Sequence, residues 1–290
     1  MFRTLSKSVL AVALALALSG APVLAGDRAA PKPHPGTLHV LTVGVARAAV
    51  GKKKAILRGA DQNAIDVAAF FRKQEGRLYE HVTVDKLVNE HATRANILAA
   101  LDRLEDAFRP GDMAVVHISA HGGESHGHWL MAAYDCPWGN GSDAYVTEQE
   151  LRQRLEKLPG RVLLILDSCH SGAFGDGVSN RAVKGQAGLV VYAAALSDQY
   201  GWYDNGLDHG YFTHALLEGL SGKADANHDG LVTLAEIDAY VANRVAALTP
   251  WSKKACLERG LPAEDQTPTL SKPATISDTT PIAVVVGKDG

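Results

Sequence analysis

Two short polar runs, each directly after a stretch of apolar residues, contain the side chains best suited to covalent chemistry. The first is Ser119-Ala-His-Gly-Gly123 and the second is Asp167-Ser-Cys-His-Ser-Gly172. Because the carboxyl ends of parallel strands meet at one edge of a sheet, we expect His121 and Cys169 to lie close together. A thiol beside an imidazole forms a nucleophile and general-base pair, and the two glycines leave room for backbone amides near a developing oxyanion.

The order and spacing of these residues resemble those of a known peptidase family. The histidine precedes the cysteine by about 50 residues, as in caspase-type sites. The chain resembles the caspase-like cysteine peptidases, family C14, and in particular their bacterial metacaspase-like (orthocaspase-type) branch, over residues 37–241. The resemblance rests on four segments: Ser119-Ala-His-Gly122, Asp167-Ser-Cys-His-Ser-Gly172, Gly210-Tyr-Phe-Thr-His-Ala-Leu-Leu217 and Leu57-Arg-Gly-Ala-Asp-Gln-Asn-Ala64.

This resemblance implies both a fold and an activity. The fold is a three-layer α/β sandwich, with a mostly parallel caspase-like (caspase-hemoglobinase) sheet and helices on both faces. The activity is that of a cysteine-type endopeptidase, with His121 as the base and Cys169 as the nucleophile. The backbone amides of Gly122 and Cys169 are the implied oxyanion hole.

The same resemblance implies cleavage after Arg or Lys. The family's pocket for a basic side chain uses an Asp two residues before the nucleophile, here Asp167, and Ser119 is expected to line the same pocket. A carboxylate there suits a cationic side chain. The family usually has a further Asp at the position of Asn63, and Asp61 lies two residues away and could substitute for it.

Two other functional classes remain as alternatives. The domain could be a catalytically silent, caspase-like binding domain, although both residues of the dyad are present. It could also be a serine hydrolase, because Gly123-Glu-Ser125-His-Gly127 matches the nucleophile-elbow pattern. A zinc site formed by neighbouring histidines and Cys136 is disfavoured, because no spacing matches a common zinc site.

A separate motif predicts a calcium site. Residues 225–236 fit the twelve-residue EF-hand loop at each constrained position, with helices expected on both sides. Gly230 provides the sharp turn of the loop. We expect no organic cofactor for the protein. The expected ligands are Asp225, Asn227, Asp229, the carbonyl of Leu231, Thr233 and Glu236.

The elements that must position these residues alternate between strands and helices. Apolar, β-branched runs predict strands, and helical periodicity with capping residues predicts the segments between them. Continuous apolar strands indicate a mostly parallel sheet that is covered on both faces. The predicted strands are 38–45, 81–88, 112–119, 161–166, 188–195 and, late in the chain, 282–286; the helices are 61–72, 94–108, 147–158, 212–220 and 234–248.

The first 25 residues have the features of a cleaved secretory signal peptide. Arg3 and Lys7 precede a ten-residue apolar core, and small residues follow near Ala25. We therefore expect a secreted or periplasmic protein. Residues 26–36 form a Pro-rich leader, residues 37–250 the peptidase domain, and residues 251–290 a loop-rich extension.

The composition limits the possible partners. The 29 Lys and Arg residues nearly balance the 32 Asp and Glu residues, so nothing favours nucleic acid as a partner. The expected partner is a protein or peptide substrate, with no membrane contact after signal cleavage. The oligomeric state does not follow from the sequence.

The three cysteines raise a further question. An oxidising compartment favours disulfides, so if Cys169 stays free, Cys136 and Cys256 could pair. The Gly-rich stretch 172–188 contains Arg181 and Lys184, after either of which the protein could cleave itself.

Overall fold

The structure, a computed structural model, describes residues 33–48, 55–137, 145–175, 188–203, 206–258 and 263–285. The predicted signal peptide and most of the Pro-rich leader lie outside these ranges, as do Arg181 and Lys184. No helix within the described ranges combines the length and the apolar character that crossing a bilayer requires.

A six-stranded sheet forms the centre of the molecule. Its strands are β1 (His34–Gly44), β2 (Tyr79–Val88), β3 (Met113–Ser119), β4 (Arg161–Asp167), β5 (Leu189–Ala193) and β6 (Thr269–Ser271). Across the sheet their order is β6-β5-β4-β3-β1-β2. Strands β1 to β5 are parallel to one another, and β6 is an antiparallel edge strand.

The strand register brings the two polar runs side by side. Gly44 pairs with Ser119 across β1 and β3, and Ser119 pairs with Asp167 across β3 and β4. These three residues therefore form one row at the carboxyl edge of the sheet. His121 and Cys169 each follow two residues beyond this row.

Helices cover both faces of the sheet, so the predicted three-layer α/β arrangement is confirmed. The helices are α1 (Ala60–Arg72), α2 (Arg94–Ala107), α3 (Glu148–Leu155), the short α4 (Gly172–Gly175), α5 (Tyr211–Glu218) and α6 (Leu234–Glu258). Helices α2 and α3 pack on one face, and α1, α5 and α6 pack on the other.

The alternating direction of strand side chains explains the two cores. Along β3, Val115 packs in the core under α1 and α5, whereas Val116 and Ile118 pack in the core under α2 and α3. Both faces of the strand are thus buried, which is why its sequence is apolar without a break.

Local sequence signals set the beginnings of two helices. The Thr93 hydroxyl accepts a hydrogen bond from the Asn96 amide at 3.2 Å, which caps α2. Thr147 and Glu150 form the predicted capping box of α3, in which each side chain bonds the other residue's backbone.

Smaller sheets extend from the ends of the main elements. A three-stranded sheet follows β3 directly and includes the hairpin that carries Ser125. The smaller strands are Gly122–Ser125, His128–Met131 and Val146–Thr147; Arg47–Ala48 and Ala55–Ile56; and Leu231–Thr233 and Pro281–Val284. A 3-10 turn covers Asn89–His91, and a π-helical turn covers Gly219–Lys223.

The two ends of the domain differ from the boundaries expected from sequence. Strand β1 begins at His34, inside the segment assigned to the leader. The segment from 251 is built into the domain rather than extending from it, because α6 continues to Glu258 and β6 joins the central sheet. Edge strands of three or four residues are too short to give a clear apolar pattern, so the sequence did not reveal β6.

Candidate active site

The turns after β3 and β4 are in close backbone contact. A Cβ atom on Gly122 would lie 2.4 Å from the carbonyl oxygen of Cys169 and 2.7 Å from the Ser168 hydroxyl oxygen, so only glycine fits at residue 122. The Ser168 hydroxyl in turn accepts a hydrogen bond from the fully buried Trp129 indole at 3.0 Å. The sequence's two polar runs are therefore brought together, with His121 next to this contact.

Hydrogen bonds from the segment after β5 hold the turn that carries Cys169. His170 has a left-handed backbone with φ of 57°, its amide donates to Gln199 O at 2.9 Å, and its Nδ1 lies 2.8 Å from Ser197 O. The Gly172 amide donates to Ala195 O at 2.8 Å. His170 thus shapes the turn that carries the half-buried Cys169.

Burial favours the neutral forms of both Cys169 and His121. It raises the pKa of the Cys169 thiol, and the backbone amides of Gly201 and Cys169 itself oppose this only in part. Burial lowers the pKa of His121. Both side chains are therefore neutral at neutral pH, and a neutral imidazole is the form that can accept a proton.

Asp167 is a buried carboxylate with one free oxygen. Its Oδ2 accepts hydrogen bonds from Thr213 Oγ1 at 2.6 Å and from Asn63 Nδ2 at 3.0 Å. Its Oδ1 has no partner among the described residues, although the side chain is only 1% exposed. Burial raises the pKa of Asp167 to about 6, against the lowering effect of the Thr213 hydrogen bonds.

Three further side chains complete the surroundings of Asp167. Asn63 Nδ2 also lies 3.0 Å from Ser119 Oγ, and the Tyr203 hydroxyl lies 3.0 Å from the same oxygen. Thr213 was not singled out as a pocket residue from sequence. Tyr203 belongs to an aromatic cluster before α5, and Thr213 lies within one of the four segments that carry the family resemblance.

Of the two candidates in α1, only Asn63 reaches this group. Asn63 is fully buried and shares the inward face of α1 with Val67 and Phe71, at intervals of four residues. Asp61 instead accepts hydrogen bonds from Asn89 Nδ2 and from the Gln62 amide, both at 3.0 Å. Helix phase thus separates the two positions, and that signal was already present in the sequence.

The alternative nucleophile lies in a different setting. Ser125 is exposed at the end of a hairpin strand, and its Oγ is 3.1 Å from Nδ1 of the adjacent His126. A nucleophile elbow requires a turn from a strand into a helix, whereas the next element here is another strand. The geometry does not favour Ser125.

The EF-hand-like loop has the predicted flanks and a tight internal network. The Asp229 amide bonds both Asp225 Oδ1 at 3.1 Å and Asn227 Oδ1 at 2.8 Å, so these two oxygens converge. Glu236 Oε2 is bonded by the amide and hydroxyl of Thr233 at 3.0 and 2.8 Å. No group of three or more His, Cys, Asp or Glu side chains in the described ranges is arranged around a metal position.

All three cysteines are free thiols. Cys136 and Cys256 are both buried, but Cys136 follows the smaller sheet on the side of α2 and α3. Cys256 lies late in α6, whose first turns pack on the opposite face. The disulfide suggested from sequence is not formed between them.

A cysteine turn and a histidine turn at the carboxyl edge of a mostly parallel sheet are features of a caspase-like domain. The family model described as the caspase domain matches residues 41–277, so the chain belongs to the C14 peptidase family. No curated protein matches the chain.

Two solved structures share the fold. Protein GSU0716 from Geobacter sulfurreducens is 18% identical, with a TM-score of 0.60 over 87% of this chain and 100% of that one. Caspase-1 from Spodoptera frugiperda is 12% identical, with a TM-score of 0.59 over 91% and 97%.

Proposed function

We propose that the protein is a cysteine endopeptidase that cleaves after Arg or Lys, with Cys169 as nucleophile and His121 as base. The backbone contact between Gly122 and Cys169 is the observation that carries this proposal. It puts the histidine turn and the cysteine turn within one small site, on a member of a peptidase family. Proteins or peptides are the corresponding substrates.

The chemistry follows from the neutral dyad. His121 takes the thiol proton as the Cys169 sulfur bonds to the carbonyl carbon of the substrate, and the carbonyl oxygen becomes an oxyanion. The amides of Gly122 and Cys169 donate to that oxygen. The C–N bond then breaks and the leaving amine takes the proton from His121. Water, deprotonated by His121, hydrolyses the thioester and restores the thiol.

The preference for basic residues rests on Asp167. A cationic side chain that reached Oδ1 would pair with a carboxylate that is otherwise buried without a counter-ion. Such charge-assisted hydrogen bonds are about twice as strong as neutral ones. Ser119 and Asn63 support this carboxylate, whereas Asp61 is directed to Asn89.

We further propose that the protein acts outside the cytoplasm after loss of residues 1–25, a proposal that rests on the sequence alone. We also propose that the loop at 225–236 binds Ca²⁺. The convergence of Asp225 and Asn227 supports this, and ion binding would require Glu236 to exchange its bonds to Thr233 for the ion. Weak binding of this kind stabilises a protein where calcium is abundant.

The test of the proposed function is hydrolysis of fluorogenic peptides with Lys, Arg, Asp or Leu at the cleaved position. We expect cleavage after Lys and Arg only, and loss of that cleavage in Cys169→Ala. Cys256→Ala is the matched control and should retain activity. Activity that survives in Cys169→Ala but not in Ser125→Ala would support the serine hydrolase instead, and silence on all peptides would support the binding domain.

A further inference from the structure

Behind the pocket, a chain of hydrogen bonds connects Asn63 to the protein surface. The Asn63 Oδ1 atom lies 2.9 Å from Nδ1 of His209, and Nε2 of the same histidine lies 3.3 Å from Asp66 Oδ2. The Gln62 side chain donates to that carboxylate at 2.9 Å. His209 is therefore held between an amide oxygen and a carboxylate.

The contacts on both sides of Asn63 are consistent with one orientation of its amide. An amide oxygen only accepts hydrogen bonds, so in this orientation His209 Nδ1 carries the proton and donates to Oδ1. The NH₂ group of Asn63 is then left to face Ser119 Oγ and Asp167 Oδ2. With the amide reversed, its oxygen would stand about 3 Å from Asp167 Oδ2, and two acceptors would repel each other.

The orientation of Asn63 determines how many acceptor oxygens the pocket offers. Both Asn63 and Thr213 donate to Oδ2 of Asp167, whereas Oδ1 is the carboxylate oxygen that has no partner among the described residues. A guanidinium is a planar fork that pairs best with two carboxylate oxygens, whereas a lysine ammonium is a compact charge that needs one. A pocket with one free oxygen therefore matches lysine.

The loop that carries His209 is itself closely seated. A Cβ atom on Gly59, the residue before α1, would lie 2.8 Å from the carbonyl oxygen of Asp208. The start of α1 and this loop thus touch through backbone atoms on both sides. That contact holds His209 beside Asn63, which lies four residues after Gly59 in the chain.

We propose that His209 is a positioning residue that orients Asn63, and that the resulting pocket with one free oxygen makes lysine the preferred residue at the cleaved position. This inference rests on the proposed function and deepens it. His209 touches no substrate; it acts through Asn63 and Asp167.

The test compares kcat/KM for two peptides that differ only in Lys or Arg at the cleaved position. We expect the wild type to favour Lys. In Asn63→Asp two carboxyl groups face each other and share a proton, until a guanidinium, whose fork of donors can pair with both, takes the place of that proton; the ratio should therefore move toward Arg by about tenfold or more. His209→Ala should raise KM for both peptides about tenfold with little change in kcat, and His209→Gln, which keeps a donor, should restore it.

His214→Ala is the matched control, because His214 lies beside His209 with a ring-centroid distance of 6.5 Å and contacts Glu218 instead of the pocket. A wild type that favours Arg, an unchanged ratio in Asn63→Asp, or an unchanged KM in folded His209→Ala would overturn the inference. If the wild type cleaves neither peptide, the proposed function fails. The affinities of the two peptides, measured by calorimetry, then test the inference separately. Equal affinities for the Lys and the Arg peptide would overturn it.

Discussion

Gly122 and Cys169 touch through their backbones, although they lie on different turns at the edge of the sheet. No side chain fits between them, since a Cβ atom at residue 122 would lie 2.4 Å from the Cys169 carbonyl oxygen. The contact lies just beyond the paired ends of β3 and β4, beside His121 and within the turn that carries Cys169. The proposed oxyanion hole depends on it.

The first prediction concerns this contact. Gly122→Ala should lower kcat about 100-fold or more, because the methyl group must push the two turns apart and move an oxyanion donor. The melting temperature should also fall. Gly123→Ala is the control, since its Cβ would meet only the Leu130 side chain at 3.3 Å. Equal activities of the two variants would contradict the assignment.

The second prediction concerns pH. Asp167 has a pKa of about 6 and must be ionised to bind a cationic side chain, so kcat/KM for Lys or Arg peptides should fall as the pH drops below 6. A bound cation lowers the pKa of Asp167, so the acid limb of kcat should lie at lower pH than that of kcat/KM. Parallel pH profiles of the two parameters would speak against this role.

Thr213→Val sharpens the same test. The hydrogen bond from the Thr213 hydroxyl lowers the pKa of Asp167, so the loss of this bond should move the acid limb of kcat/KM to higher pH, while the backbone amide of residue 213 keeps its own bond. Thr42→Val is the matched control, because Thr42 is fully buried and its hydroxyl has no partner in the described part of the chain. Its profile should equal that of the wild type, and a shift in both variants would rule out a specific effect.

Much of this site could be predicted from the sequence, because the nucleophile and base follow unbroken apolar strands. A parallel sheet brings such strand ends to one edge whatever the register. The proximity of His121 and Cys169 could therefore be predicted from the strand assignments alone. The capping residues Thr93 and Thr147 likewise act within one turn of their helices.

The rest of the pocket depends on long-range packing. Asn63, Thr213 and His209 come from α1, α5 and the loop before α5, and only the packing of these elements against the sheet brings them to Asp167. Asp61 resembled the expected carboxylate by type, but its phase on α1 directs it to Asn89. Residue type alone could not decide between two positions on one helix.

The third prediction concerns calcium. About 1 mM Ca²⁺ should raise the melting temperature over that in chelator, because a site with a Kd of about 10⁻⁴–10⁻³ M then gives about 0.4–1.4 kcal/mol of stabilisation. Asp225→Ala should abolish the difference, and Asp85→Asn, an exposed surface change beside Arg103, should keep it. A wild-type melting temperature that is the same in calcium and in chelator would mean that the loop needs no ion.

The most direct measurement is covalent labelling of the protein by an acyloxymethyl ketone that carries lysine, followed by intact-mass analysis and peptide mapping. The proposed dyad and acidic pocket predict a single adduct on Cys169, no adduct in Cys169→Ala, and much slower labelling in Asp167→Asn. The analogue with Asp in place of Lys should not react. An adduct on Cys136 or Cys256 would contradict the account, and so would labelling of Cys169 at the same rate by the Lys and the Asp inhibitor.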